Sequence, residues 1–239
     1  MLESVGERTP ASDDPRLALG AAYVTNFGAL AASSPFLAVH LGVAGFSPPA
    51  AAQLLALLLL VRVVATPAWT LLADRTKASG GVLRLVSAGA LVAFAALLLA
   101  PGPGGVAAFL LAFAVFRAPF GALLDALALR AVRERGGAFG HVRAWGTAGY
   151  ALGAMATGAF VAREGSRAVL YVTTVLLGAS VVTAWTVRAR DGAAPGPHVR
   201  SPGPPGGEWR LLGTLLRRPR VLLLFAVASL QQIGLAPYD

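Results

Sequence analysis

The 239-residue sequence has no cysteine, which excludes disulfide scaffolds and cysteine-ligated metal sites. It is also short of charge: Asp, Glu, Lys and Arg make up 13% of the chain, about half the ~25% of an ordinary soluble domain. Histidine is sparse as well. His40, His141 and His198 stand apart in sequence, none beside an acid at ligand spacing, and no nucleophile–base pair accompanies them. These absences speak against an enzyme and give no reason to expect a metal or a cofactor. What is abundant is apolar surface. Hydrophobic residues make up 56% of the chain and the mean hydropathy is +0.68, so an all-α integral membrane protein is expected.

Six long apolar segments follow one another, at about 17–41, 50–72, 82–101, 105–128, 142–162 and 167–187, and a seventh begins at Val221. Each complete one has the ~20 residues needed to cross ~30 Å of hydrocarbon at 1.5 Å per residue. The first 16 residues carry Glu3, Glu7, Asp13 and Asp14, the wrong flank for a signal peptide, so the first segment reads as a retained helix. Gly and Pro in 42–49 and 101–104 mark turns between antiparallel helices.

The net charge of +9 would point to nucleic acid if it clustered on a soluble module. Instead it follows the loops. With the N-terminus inside, 16 of the 20 Lys and Arg fall on the cytoplasmic side, and only Arg163 and Arg167 on the other. This is the positive-inside pattern, and it places the N-terminus in the cytoplasm of a cell whose inner membrane the chain spans. The expected organisation is a cytoplasmic tail (1–16), a six-helix bundle (17–187), a Gly/Pro-rich cytoplasmic linker ending in an amphipathic stretch (188–220), and the start of a seventh helix (221–239).

The two remaining basic residues are Arg62 and Arg117, both near the middle of an apolar segment. A guanidinium at the centre of a lipid-exposed helix costs about 2.5–3.5 kcal/mol on insertion scales. Each therefore needs water, an anion or a buried partner. Helix 4 places Arg117, Gly121 and Asp125 at intervals of four, with Gly121 leaving room between cation and carboxylate. Helix 5 carries Arg143, Thr147, Tyr150 and Ala154 on one face and Gly149 and Gly153 on another, a small-xxx-small pair that permits close backbone approach.

Four stretches carry a family resemblance: GHVRAWGTAGYALGA (140–154), APFGALLDALALR (118–130), PAWTLLADR (67–75) and LAPYD (235–239). In this order they resemble helices 5, 4, 2 and 7 of the major facilitator superfamily, in the branch of the lactose permease-like and nucleoside–proton symporters. The superfamily's helix 2–3 loop pattern, G-x-x-x-D-R-x-G-R-R/K, is matched at Asp74 and Arg75. Thr70 and Lys77 stand where it has glycines, and Ala78 and Ser79 replace its basic pair. The resemblance implies a twelve-helix fold of two six-helix halves, with this chain as the N-terminal half and the C-terminal half as its missing partner.

The resemblance also implies that Asp125 and Arg143 together grip the substrate and that Tyr150 stacks on it; a structural ion pair and an interfacial tyrosine are the alternatives. Arg62, Arg117 and Asn26 are further cavity candidates for binding, while Arg62 could instead lock helices by pairing with Asp125 or with backbone carbonyls. His40 reads as interfacial rather than as a proton relay. The function so implied is secondary active transport by alternating access: proton-coupled symport of a sugar, nucleoside or small organic acid. Drug or metabolite efflux by antiport is the alternative. A non-transporting scaffold or sensor fits less well, because it has no use for arginines at mid-membrane. The expected partners are a small-molecule substrate, a coupling proton and the lipid bilayer, not nucleic acid.

Overall fold

The computed structural model describes residues 15–187 and, beyond them, only positions 219 and 223. The helices run in the order α1 (Pro15–Ser33), α2 (Leu37–Val43), α3 (Pro48–Thr76), α4 (Ser79–Ala95), α5 (Gly102–Arg117), α6 (Phe120–Arg135), α7 (Phe139–Glu164) and α8 (Ala168–Thr186). A 3-10 turn, Ala96–Leu99, extends α4, and there is no strand among the described residues. The expected linker, amphipathic stretch and seventh helix, with most of the 1–16 tail, lie outside the described residues.

Among the described residues, four helical stretches are long and apolar enough to cross a membrane: Pro48–Thr76, Ser79–Leu99, Gly102–Glu134 and Ala168–Thr186. Leu17–Ser33 with Leu37–Val43, bent by 43°, make a fifth if counted as one span. The segment expected at 142–162 is a helix of 26 residues, α7, which is about 39 Å at 1.5 Å per residue. It has the length to cross but not the apolarity, because glycine, alanine, threonine and Arg143 stand where the other spans carry leucine and valine.

Two of the expected helices are broken, and proline accounts for both breaks. Pro35 separates α1 from α2, and Pro119 separates α5 from α6. A proline has no N–H to give the carbonyl four residues back, and its ring crowds that carbonyl. At Pro119 the orphaned group is the Val115 carbonyl. It accepts instead from the Trp69 indole Nε1–H of α3 at 3.0 Å, while the Thr66 hydroxyl donates to the Ala118 carbonyl at 3.2 Å. The break is thus sealed from a neighbouring helix, as backbone at membrane depth requires.

The interior is layered. One buried cluster gathers Leu41, Leu58, Phe94, Leu110, Phe113 and Leu177, with Phe94 and Phe113 edge to face at 4.9 Å. The other gathers Tyr23, Leu83, Val86, Phe120, Leu124 and Val142. On four elements the residue that separates the clusters along the chain is buried and polar: Asn26, Ser87, Arg117 and Ser180. A polar belt therefore crosses the bundle between two apolar layers.

Helix α1 is the hub, packed along α7 and α8. The α1–α7 contact is backbone to backbone. A Cβ on Gly149 would lie 2.5 Å from Val24 Cα, and one on Gly153 would lie 2.6 Å from the Gly28 carbonyl oxygen. No side chain fits at either position, as close small-xxx-small packing requires. At the α3–α4 turn, Lys77 is left-handed (φ 52°, ψ 28°) and caps α3, its N–H reaching back to Ala73 and Asp74 carbonyls. It stands where the resembled loop pattern has glycine, the residue for which this conformation costs nothing.

Candidate functional site

Toward one end of the bundle, Asp125 of α6 has both carboxylate oxygens engaged. The Tyr23 hydroxyl donates to Oδ1 at 2.5 Å and Arg143 Nη1 donates to Oδ2 at 2.7 Å. One carboxylate thereby joins α1, α6 and α7. The Arg143 and Asp125 side chains are 51% and 33% exposed, so water screens the pair, and its contribution to stability is of the order of 0–1 kcal/mol. The Arg143 guanidinium also lies over the Phe139 ring, 5.9 Å from its centroid.

Beside this pair opens a cleft of about 250 Å³ lined by Phe27, Arg143, Thr147 and Tyr150. Phe27 is held by stacking on Tyr23, centroids 5.9 Å apart and planes 12° off parallel. The cleft combines aromatic surface, a hydroxyl and a guanidinium. Such a set can cover the apolar face of a ring while hydrogen-bonding the hydroxyls at its edge. The helix face read from sequence is thus assembled for Arg143, Thr147 and Tyr150; Ala154, further along α7, does not line the cleft.

One helical turn along α1 from Tyr23, the chemistry changes. Arg117 is 7% exposed, donates from Nη2 to the Asn26 backbone carbonyl at 3.0 Å, and lies over the Phe120 ring at 5.3 Å. Arg62 of α3 is half-buried and near enough for the two guanidiniums to repel each other. Among the described residues neither is paired with a carboxylate. Arg117 in the belt, with half-buried Arg62 near it, thus has no counter-ion among the described residues.

Arg117, Gly121 and Asp125 lie on the one helical stretch Gly102–Glu134, with a two-residue turn at positions 118–119. Gly121 leaves open space, with nothing within 4 Å of where its Cβ would lie. One alternative needs correction: Arg62 does not pair with Asp125, whose oxygens are taken by Tyr23 and Arg143. Asn26 is buried and contributes its backbone carbonyl to Arg117. Asp74 and Arg75 are exposed at the end of α3, remote in sequence from the cleft residues. Sequence reasoning missed Tyr23 and Phe27. A tyrosine inside an apolar helix, one turn before Asn26, was the available signal, because its hydroxyl must find a partner when buried.

Residues 17–239 match the MFS_1 like family. The chain is also similar to a maltose permease of Geobacillus stearothermophilus, 29% identical over 208 residues, which is 85% of this chain and 50% of the permease. It therefore spans about half the length of that curated relative. No solved structure matches the chain. An all-α fold with apolar membrane-length helices agrees with that family match. The chain belongs to the MFS_1 like family, and through it to the major facilitator superfamily.

Proposed function

We propose that the protein is a secondary active transporter that moves a hydroxyl-rich small molecule, a sugar foremost, by proton-coupled symport and alternating access. The observation that carries this reading is Arg117, buried between two apolar layers with half-buried Arg62 near it and, among the described residues, no carboxylate paired with either. A buried arginine without a carboxylate burdens the fold, and a membrane protein keeps one where water or a substrate reaches it. The similarity to a maltose permease supports a sugar as the cargo. The Phe27–Tyr150 cleft supports it independently, because ring stacking beside an arginine fork suits a hydroxylated ring.

In this reading Tyr150 and Phe27 cover the ring, and Arg143 and Asp125 exchange their mutual contact for substrate hydroxyls. The weakness of their exposed ion pair makes that exchange cheap. Arg117 and Arg62 hold the inner end of the substrate, with Asn26 beside them. Two rocking halves expose such a site to either side in turn; the second half is the partner this reading requires. The test is uptake of radiolabelled disaccharide into proteoliposomes carrying the full-length protein under an inward proton gradient. Accumulation that collapses with a protonophore is expected. Failure of every sugar in a panel of hexoses and disaccharides to bind would overturn the reading.

The orientation proposed is N-terminus in the cytoplasm, in the inner membrane. Residues 1–239 hold no cysteine, and single cysteines introduced there report cleanly in an otherwise cysteine-free protein. In intact cells an impermeant maleimide should label Ser166→Cys and leave Ala138→Cys unlabelled. The reverse pattern would invert the topology.

A further inference from the structure

Between the Arg117 belt and the Asp125 cluster the helical stretch Gly102–Glu134 is interrupted at positions 118–119. The interruption is short. The Ala118 N–H still donates to the Ala114 carbonyl at 3.0 Å, and the Leu123 N–H to the Pro119 carbonyl at 2.9 Å. Arg117 ends α5 and lies over the ring of Phe120, the first residue of α6. The angle at the break therefore sets where Arg117 stands relative to Asp125. A proline, lacking its N–H, leaves that angle to be set by what surrounds it.

What surrounds it is one face of α3. Arg62, Thr66 and Trp69 stand at i, i+4 and i+7 of that helix, the spacing of a single face. Thr66 donates to the Ala118 carbonyl and Trp69 to the Val115 carbonyl, while Arg62 lies near Arg117. The Trp69 ring also packs on Phe116, with centroids 5.9 Å apart. From the other side Phe116 lies so close to Gly89 of α4 that a Cβ there would stand 2.5 Å from its Cδ1. Phe116, the chain neighbour of Arg117, is thus held between α3 and α4. A hydroxyl or a water would satisfy the Val115 carbonyl equally well. An indole packed on Phe116 also fixes distance and direction, because so large and rigid a ring has few other placements.

We propose that Trp69 and Thr66 are positioning residues of the substrate site: they hold the Pro119 break at one angle and so set the spacing between Arg117 and Asp125. Neither touches substrate. Both act through backbone carbonyls on either side of Arg117. The consequence for binding rests on the transporter reading above, whereas the consequence for the direction of α6 does not. From Phe120 to Arg133 α6 runs 13 residues, about 20 Å at 1.5 Å per residue. A change of about 20° at the break, the size of a proline kink, therefore carries that end of α6 by ~7 Å.

Two readouts on the full-length protein, free of other cysteines, test this. One is the distance between nitroxide labels on Thr76→Cys and Arg133→Cys, exposed positions near the ends of α3 and α6. The other is affinity for the tightest-binding sugar of the hexose and disaccharide panel. Trp69→Phe keeps a ring against Phe116 and deletes the N–H. It should shift or broaden the label distance by several ångströms and weaken the sugar at least tenfold. Thr66→Val should act in the same direction, and Thr66→Ser should restore both readouts. Pro119→Ala separates positioning from sealing, because its N–H gives the Val115 carbonyl a helical partner. In Trp69→Phe combined with Pro119→Ala the thermal midpoint should return to the wild-type value while affinity stays at least tenfold low. Recovery of both together, an unchanged label distance in Trp69→Phe, or a shifted distance with affinity intact would each overturn the proposal. If no sugar binds the wild-type protein, the transport reading falls, and the label distances alone decide whether Trp69 and Thr66 set the angle.

Discussion

The Asp125 cluster and the Arg117 belt lie about one helical turn apart on α1, yet they solve opposite problems. At the cluster every charge is paired: one carboxylate takes a tyrosine and an arginine, and the pair is partly open to water. In the belt a nearly buried guanidinium has one backbone carbonyl and one aromatic face, and the charge that acts on it is another cation, Arg62. Stability alone would favour the reverse, with the acid placed where burial is deepest. The comparison teaches that the deeper site is left in electrostatic debt, which is what a group held for a ligand looks like, and that the shallower one is free to trade partners.

The sharpest way to break this comparison is to remove the buried cation. Arg117→Met keeps length and apolar bulk and deletes the charge. Because replacing buried ionic groups by apolar ones of similar volume is often neutral or stabilising, the thermal midpoint in detergent should hold or rise. Substrate binding should fall about 10- to 100-fold, the equivalent of one hydrogen bond to a charged group, roughly 1.5–3 kcal/mol. A protein that melts much earlier with binding intact would make Arg117 a structural lock and would end the contrast between the two sites. Arg62→Lys gives the graded version: the charge persists while the planar fork is lost, so partial activity is expected.

The next effect is smaller in stability. Asp125→Asn and Arg143→Gln should each cost less than about 1 kcal/mol, and the double-mutant cycle should return a coupling of ~0.2–1 kcal/mol, as for exposed pairs. Binding should nonetheless drop in both single variants, because in the proposed function both groups hold substrate. A coupling of about 3 kcal/mol or more, with binding restored in the double variant, would make the cluster a clamp between α6 and α7. Tyr23→Phe belongs to the same series. It removes one donor to Asp125 while keeping the stack on Phe27, so it separates the hydroxyl's role from the ring's.

Much of this was legible from sequence, and the reasons differ by residue. Gly149 and Gly153 could be assigned to a helix contact because helical spacing is a local property that periodicity reports, whereas the pairing of Arg143 with Asp125, on two different helices, was readable only through the family resemblance. Arg62 and Arg117 stood out because charge in an apolar run needs a reason. The breaks were harder. Pro119 was visible, but the rescue of the Val115 carbonyl by Trp69 joins positions 46 apart in sequence, and no local pattern carries such a contact. Tyr23 was missed for the same reason, since its partner is 102 positions away. The α7 helix shows the opposite difficulty: its position was readable, but its glycines, two of them in backbone contact with α1, and its Arg143 dilute the apolarity by which spans are recognised.

The smallest predicted effect supplies the reference for the others. Lys77 is an exposed cation at the end of α3, remote in sequence from both the cluster and the belt, and its backbone is left-handed. Lys77→Gly therefore deletes a charge that no substrate reading uses, at a position where glycine suits the backbone. The left-handed conformation costs a side-chain-bearing residue roughly 1–2 kcal/mol, and part of that gain is offset by the extra freedom glycine brings to the unfolded chain. A net stabilisation of about 0.5–1 kcal/mol, read as a small rise in thermal midpoint, is expected with substrate affinity unchanged. If affinity fell as it does for Arg117→Met, loss of positive charge anywhere on the bundle would suffice to weaken binding. The belt would then owe its effect to the general field of the protein rather than to where Arg117 sits.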